Sequence, residues 1–590
     1  MHAMRFAARA VVVLAVAAAA VPARAATAPP GCDATRPAVV YLPGASEPRP
    51  LGRTRLVPCR YDTGGRAMEP SLDFTRDGRL LFQEWQLTAG NPDGAPVTPD
   101  VYRSDATFTK WSDVSPLIGA VHSLDPQLVV DRATGRIFSV NWLGDGSPTC
   151  ATVSVSDDNG DSWTPHPTAC SGFDGESLGV GPPATSTPIG YPNVVYYCTG
   201  LTLGSSQPAT SPICSRSLDG GTTFVPTGAL PWPAADPDAQ NDKFGPWAGN
   251  PIVGPDGTVY LPKRFLGQPE VAVSHDEGAS WTRVVVAKNG SAGAAPRMAL
   301  DEKGHVFYAW TGDDHHPYVA WSGDAGKTWS VPLDLAPPGL KDSAIPRPAA
   351  TGDGRLFVAY LGSTDAPGKP WSEYCNILLS ECDDGAYAKV TWSGYMTEVD
   401  GLLSGRPLLQ TATVNAPDKP LLIGSCSADG GCKAELDFID AKYANTGERD
   451  PFAAFVDDCE LLRDYVPVFG VQFGRCGDNL GEGIVGRLAT MRVPAPPGKP
   501  RPCASQRAFR VHVPHGLRAR VRSYDLIVAG RTVKRGIRPS QGALVDLRGR
   551  RRGEVLVVLR LHLRDGRTMD DARRYHPCVQ GTGASTTAAT

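Results

Sequence analysis

The chain has 590 residues, 58 Lys plus Arg against 61 Asp plus Glu, a formal net charge of −3, and 64 Gly, 54 Pro and 14 Cys. So many turn-forming residues, with no long apolar pattern at helical spacing, exclude a helical bundle and point to an all-β chain. Beyond the first residues, no stretch approaches the roughly 18 to 20 uninterrupted apolar residues of a membrane span.

Residues 1–25 read as a secretory signal peptide: Arg5 and Arg9, an apolar run from Val11 to Val21, then Ala23-Arg24-Ala25 as a cleavage site. The expectation is a secreted, extracellular protein with no membrane span. Fourteen cysteines in an exported chain, with no C-x-x-C pair, favour disulfides over metal ligands. Nearest neighbours suggest Cys32 with Cys59, Cys150 with Cys170, Cys198 with Cys214, Cys375 with Cys382, Cys426 with Cys432, Cys459 with Cys476, and Cys503 with Cys578.

From residue 35 onward two repeats alternate. One has the form x-Pro, a short strand, a Gly-containing turn and a second apolar strand. It runs from Glu69-Pro70 to Trp85, Asp125-Pro126 to Trp142, Asn250-Pro251 to Arg264, Ala295-Pro296 to Trp310 and Ile345-Pro346 to Tyr360. The gap between Pro126 and Pro251 is about two periods, so a degenerate copy is expected from Glu176. A last copy is expected at Leu436-Asp437-Phe438, with its turn at Gly447 and its second strand ending at Asp457-Asp458.

The other repeat is S-x-D-x-G-x-x-(W/F), at Ser156, Ser217, Ser274 and Ser322, spaced by 61, 57 and 48 residues. A decayed copy lies between Ser104 and Trp111. Asp accepting backbone N–H groups across a tight turn, Gly at positive φ and an aromatic folded back describe a hairpin turn, not an active site. Repeated four-stranded units of this kind predict a β-propeller over residues 35–492, seven-bladed, with six blades as the alternative. The strand around Thr54 to Cys59 is placed to close the last blade.

After a Pro-rich linker, residues 503–578 alternate as in Glu554-Val555-Leu556-Val557-Val558-Leu559 and predict a small Ig-like β-sandwich. From Arg501 onward there are 19 Lys plus Arg against 6 Asp plus Glu, leaving 39 against 55 in the rest. An acidic body therefore carries a basic terminal domain. Residues 581–590 read as a disordered tail.

The S-x-D-x-G-x-x-W repeats resemble the signature of Asp-box, or BNR-repeat, propellers, best known from sialidases. The resemblance implies a glycan-directed enzyme with an arginine triad, an Asp acid/base and a Tyr nucleophile activated by Glu. The family's R-I-P tripeptide is absent; the corresponding segment reads Arg66-Ala67-Met68-Glu69-Pro70.

Hairpin topology puts the Gly turns and the Asp boxes on one face, leaving the other for a ligand. That loop-bearing face should gather Glu69, Asp125 and Asp437 as candidate catalytic carboxylates. Asn250, Arg297 and Arg347 are candidate substrate ligands, surrounded by Trp85, Trp142, Trp310 and Tyr360. Carboxylates among aromatics suit sugar binding and glycoside hydrolysis, and the arginines could fork onto an anionic group. No cofactor and no metal are expected: Asp157 to Asp161 lacks the distal Glu of a calcium loop and coincides with an Asp box, and the loop Asp313-Asp314-His315-His316 reads as solvent-facing. Gly175-Glu176-Ser177-Leu178-Gly179 lacks the helix a nucleophile elbow requires. The expected function is a glycoside hydrolase acting on extracellular glycans. The alternative is a non-catalytic propeller that binds a glycan or protein, its basic sandwich meeting a cell-surface polyanion. The terminal arginines are spread along strands, which argues against nucleic acid.

Overall fold

The computed structural model describes residues 28–52, 54–84, 100–116, 125–141, 151–168, 175–200, 211–233, 235–242, 245–367, 389–424, 439–445, 449–459, 481–492, 508–547 and 554–575. They fall into two compact units, one within Ala25–Val493 and one within Pro494–Thr590.

In the first unit the strands form antiparallel sheets in chain order. Sheet 1 holds Ser71–Phe74, Leu80–Glu84, Asp100–Ser104 and Trp111–Asp113. Sheet 2 holds Gln127–Val130, Ile137–Asn141, Thr152–Ser156 and Thr164–Pro167; sheet 3 holds Ser177–Gly181, Val194–Thr199, Ile213–Ser217 and Val225–Pro226. Sheet 4 holds Ile252–Val253, Val259–Phe265, Gln268–Ser274 and Thr282–Val285; sheet 5 holds Ser291–Leu300, Val306–Gly312, Pro317–Ser322 and Leu333–Asp334. Sheet 6 holds Asp342–Ala350, Leu356–Ser363, Thr391–Asp400 and Leu408–Thr413, with Val39–Tyr41 on its edge and Leu422–Ile423 beside its third strand. Sheet 7 holds Asp440–Tyr443, Pro451–Asp457 and Gly481–Arg492, and its fourth strand, Thr54–Ala67, comes from the other end of the unit.

The first strand of each sheet lies beside the first strand of the next, and that of sheet 7 lies beside that of sheet 1. Such an all-β arrangement is consistent with a β-propeller. The apolar residues sit between consecutive sheets. Phe74 and Phe82 of sheet 1 meet Phe452 and Val456 of sheet 7, and Phe307 of sheet 5 meets Val358 and Tyr360 of sheet 6. All are almost fully buried, and each buried side chain of this size contributes about 1.5–3 kcal/mol.

The four S-x-D-x-G turns share one hydrogen-bond pattern. In the second sheet Ser156 Oγ donates to Asp158 at 2.8 Å, Gly160 N donates to Ser156 Oγ at 2.9 Å, and Ser162 N donates to Asp158 at 2.8 Å. Ser217, Ser274 and Ser322 repeat it. In the decayed copy Asp105 takes over, accepting the N–H groups of Thr107 and Thr109.

A fifth turn with this bonding joins the second and third strands of sheet 6. Ser363 Oγ donates to Asp365 at 2.7 Å, and Thr391 donates to the same carboxylate from N and Oγ at 3.1 and 2.8 Å. Disulfides join Cys32 to Cys59 and Cys198 to Cys214, and Cys459 is disulfide-bonded. The other suggested pairs have one or both cysteines outside the described residues.

The second unit is a four-stranded sheet in the order Arg531–Ile537, Val521–Val528, Val555–Leu563, Thr568–Tyr575, with Ala508–Val511 paired to Ala543–Asp546. Val555, Val557, Leu559, Leu561 and Leu563 alternate inward onto Val521, Tyr524, Leu526, Val511 and Val545. Among the described residues of both units, no helix is long and apolar enough to cross a membrane.

Candidate functional site on the loop-bearing face

The first hairpins impose a common register. Their turn-side pairs are Phe74 with Leu80, Val130 with Ile137, Gly181 with Val194, Val253 with Val259, Leu300 with Val306, Ala350 with Leu356 and Tyr443 with Pro451. Three residues before these turn-side positions stand Ser71, Gln127, Leu178, Asn250, Arg297, Arg347 and Asp440. Six of the seven are polar, and several bond to one another although they come from different sheets. Gln127 and Asn250 pair through their amides, Arg347 Nη1 donates to Asn250 at 3.2 Å, and Arg347 Nε donates to Asp440 at 2.8 Å. Ser71 Oγ and Leu72 N donate to the other oxygen of Asp440 at 3.3 and 3.1 Å, and Lys442 Nζ reaches both at 3.1 Å. Arg297 of sheet 5 places its Nη1 3.2 Å from where a Cβ on Gly249, the residue before Asn250, would stand.

Asp440 is 1% exposed. Burial pushes its carboxyl up, but the charges of Arg347 and Lys442 and the Leu72 N–H outweigh that and hold it below the usual carboxylate range. It is therefore an ionised acceptor rather than a proton donor.

Just before the first strands, nearer the loops, three carboxylates are buried: Glu69 at 3% exposure, Asp125 at 4% and Glu176 at 1%. Glu69 Oε2 accepts the N–H of Asp125 at 3.2 Å, and Asp125 Oδ2 accepts the N–H of Gly175 at 3.0 Å. Glu69 and Asp125 thus each fasten one sheet to the start of the next. Glu69, Asp125, Gly175 and Ile345 all have positive φ, between 48° and 68°. Glu69, Asp125 and Gly175 stand just before their first strands and Ile345 at a register shift inside its own, so the conformation is not confined to a single catalytic residue.

No family model matches the chain, and no curated protein matches it. Solved structures similar to it are remote in sequence. The α-L-arabinofuranosidase of Fusarium graminearum, solved with arabinobiose, is 11% identical, with 64% of this chain and 98% of that one covered and a TM-score of 0.36. The intramolecular trans-sialidase of Ruminococcus gnavus, solved with oseltamivir carboxylate, is 12% identical, with 66% and 89% covered and a TM-score of 0.32. A lectin of Aleuria aurantia, solved with Fucα1-6GlcNAc, is 10% identical, with 60% and 97% covered and a TM-score of 0.34.

Of the residues singled out from sequence, Glu69 meets Asp125, Asn250 meets Arg347, and Arg297 stands beside Gly249. Trp85, Trp142 and Asp437 lie outside the described residues. The first strand of sheet 7 begins at Asp440, three residues after Asp437, and Asp440 is the carboxylate that meets Arg347. Trp310 and Tyr360 do not line the face: they are 1% and 0% exposed, stacked on Tyr318 and Tyr395 at centroid distances of 5.8 and 5.3 Å. Apolar packing between sheets claims them. His315 also departs from expectation, being 5% exposed, with Nδ1 3.0 Å from Asp342. Among the described residues no group of three or more His, Cys, Asp or Glu is placed to hold a metal.

The open aromatic that sequence reasoning passed over is Trp247, which is 41% exposed. It precedes Asn250 by three residues in Gly245-Pro246-Trp247-Ala248-Gly249-Asn250-Pro251. A lone aromatic among small residues just before an x-Pro strand start is the signal that would have found it.

Proposed function

We propose that the large unit is a seven-bladed, sialidase-like propeller that recognises extracellular glycans on its loop-bearing face. The observation that carries this reading is the belt Gln127, Asn250, Arg347, Asp440. Four sheets each contribute one polar side chain at one register, combining amide, guanidinium and carboxylate. Such a set both donates to and accepts from a polyhydroxylated ligand. Arg347 and Arg297 are the proposed contacts for an anionic substituent.

A second reading, glycoside hydrolysis, is favoured by the buried carboxylates Glu69 and Asp125 above the belt. Recognition without hydrolysis accounts better for their bonds to backbone N–H groups. The signal-peptide pattern and the disulfides support secretion. The terminal unit, residues 503–578, is proposed to be an Ig-like sandwich whose excess of arginine suits a cell-surface polyanion.

The test is glycan-array binding, with hydrolysis of a fluorogenic glycoside panel including a sialoside, by the secreted protein and by Arg347→Ala and Asn250→Ala. Binding that falls in both variants without turnover supports recognition. Turnover abolished in Glu69→Gln or Asp125→Asn would establish hydrolysis. No binding and no turnover would overturn both readings.

A further inference from the structure

Among the exposed large hydrophobic side chains of the described residues, Trp247 is the single aromatic. The other described tryptophans of the unit are less exposed than Trp247. The indoles of Trp163, Trp281 and Trp329 donate to backbone carbonyls of Val114, Ala229 and Gly326 at 2.6, 3.2 and 3.1 Å, and Trp392 donates to Gly424 at 2.8 Å.

Trp247 is held by two glycines. A Cβ on Gly245 would stand 2.5 Å from its Cζ3 and 2.8 Å from its Cε3, so the six-membered ring rests on bare backbone. A Cβ on Gly175 would stand 3.1 Å from Cδ1 and 4.0 Å from Nε1, so the pyrrole edge rests on the start of sheet 3. Gly175 is also the residue whose N–H is bonded by Asp125 at 3.0 Å. On the other side, Gly249 N donates to Pro262 O at 2.8 Å, which fixes the chain two residues beyond Trp247 into sheet 4. The indole is thus fixed at two edges, beside a buried carboxylate and three residues from Asn250.

We infer that Trp247 is the stacking platform of the glycan site, receiving the apolar face of a pyranose ring whose hydroxyls reach the belt through Asn250. The inference rests on the glycan reading above and adds the residue that orients the sugar. The physical basis is general: the axial C–H groups of a pyranose form a flat apolar patch, and an indole held with little freedom to lose on binding is a large rigid surface for it. A platform beside polar groups selects sugars that present both an unhindered ring face and equatorial hydroxyls.

The test compares wild type with Trp247→Ala, Trp247→Phe and Trp247→Tyr on an array of neutral and acidic oligosaccharides. Affinity for the tightest array ligand is then measured by calorimetry, and thermal unfolding by circular dichroism. Trp247→Ala should weaken that ligand about tenfold or more, while the aromatic replacements stay within about threefold of wild type, a partition that lost packing alone would not produce. Unfolding midpoints of all three variants should stay well above the temperature of the binding measurement, so the affinities compare folded proteins. If wild type binds and Trp247→Ala binds equally well, the platform is wrong while the glycan reading stands. Equal weakening by Ala, Phe and Tyr would also overturn it. If wild type binds no oligosaccharide, both fall.

Discussion

The carboxylate of Glu69 accepts the backbone N–H of Asp125 across the junction of the first two sheets, at 3.2 Å. Both residues are buried, so removing the acceptor strands an N–H away from water, at a cost of about 1–3 kcal/mol. Glu69→Ala should lose that much stability in urea unfolding, whereas Glu69→Gln, which keeps a carbonyl oxygen at the same reach, should lose less than about 1 kcal/mol. If recognition is the function, Glu69→Gln also retains glycan binding.

Glu277 gives a second fastening with a different chemistry. Its Oε1 accepts the N–H groups of Ala184, Thr185 and Ser186, each at 2.9 Å, and its other oxygen is ion-paired with Arg216. Burial pushes this carboxyl up, but the Ser186 and Thr185 N–H groups, the Ser186 hydroxyl and Arg216 bring it below its ordinary value. A depressed carboxyl contributes stability that is present above its unfolded pKa and lost as pH falls through the folded one. Wild type should therefore exceed Glu277→Gln in stability at pH 6, with the gap narrowing toward pH 3. A gap that is constant with pH would show that hydrogen bonding alone, without charge, holds the loop.

Glu398 runs the other way. It is 3% exposed, with Arg355 Nη1 at 3.2 Å, and burial raises its carboxyl to about 7, with Asp400 and Asp450 adding to the rise and Arg355 opposing it. A raised carboxyl contributes stability that is fully present below the unfolded pKa of 4.5 and is lost as pH rises through about 7. The shift corresponds to roughly 3 kcal/mol. Glu398→Gln should thus gain on wild type between pH 5 and pH 8, read as the difference in unfolding free energy at the two pH values. Equal pH slopes in the two proteins would refute the account.

Much of this architecture was legible because its repeats are local. Ser, Asp and Gly at fixed offsets fold the same turn wherever they occur, so Ser156, Ser217, Ser274 and Ser322 located four hairpins directly. The turn at Ser363 escaped because its Thr391-Trp392 end follows 26 residues after Asp365, and a fixed-offset pattern cannot see an interrupted turn. Asp365→Ala should cost as much as Asp324→Ala, about 1–3 kcal/mol, since each carboxylate accepts an N–H and a hydroxyl.

The site was less legible. Which side of a strand faces the next sheet depends on register, and Trp310 and Tyr360, inside Val306–Gly312 and Leu356–Ser363, were as compatible with packing as with a ligand. Counting back from the turn, rather than forward from an x-Pro pair, leads to Asp440. Sheet 7 has no such proline to count from. Trp247 lies in a loop, where no periodicity operates.

Asp242, five residues before Trp247, is held by buried charge. Lys263 and Asp242 are 0% and 1% exposed at their side chains and form an ion pair, and Leu266 N donates to Asp242 at 3.2 Å. Trp232 Nε1 donates to Glu270 at 3.0 Å, and Lys263 Nζ lies 5.8 Å from the Trp232 ring and 5.1 Å from that of Phe265. Burial pulls the Lys263 ammonium down and Asp242 opposes the fall. Lys263→Met removes one partner and leaves a buried carboxylate without its cation, a change that costs about 3–5 kcal/mol. Adding Asp242→Asn removes the orphaned charge while keeping an acceptor for Leu266, so the double variant should recover more than half of the loss. If the pair holds the loop for Trp247, glycan affinity follows stability across wild type, single and double variants. An affinity that stays level while stability drops would mean that Gly245 and Gly175 position the indole without help from the ion pair.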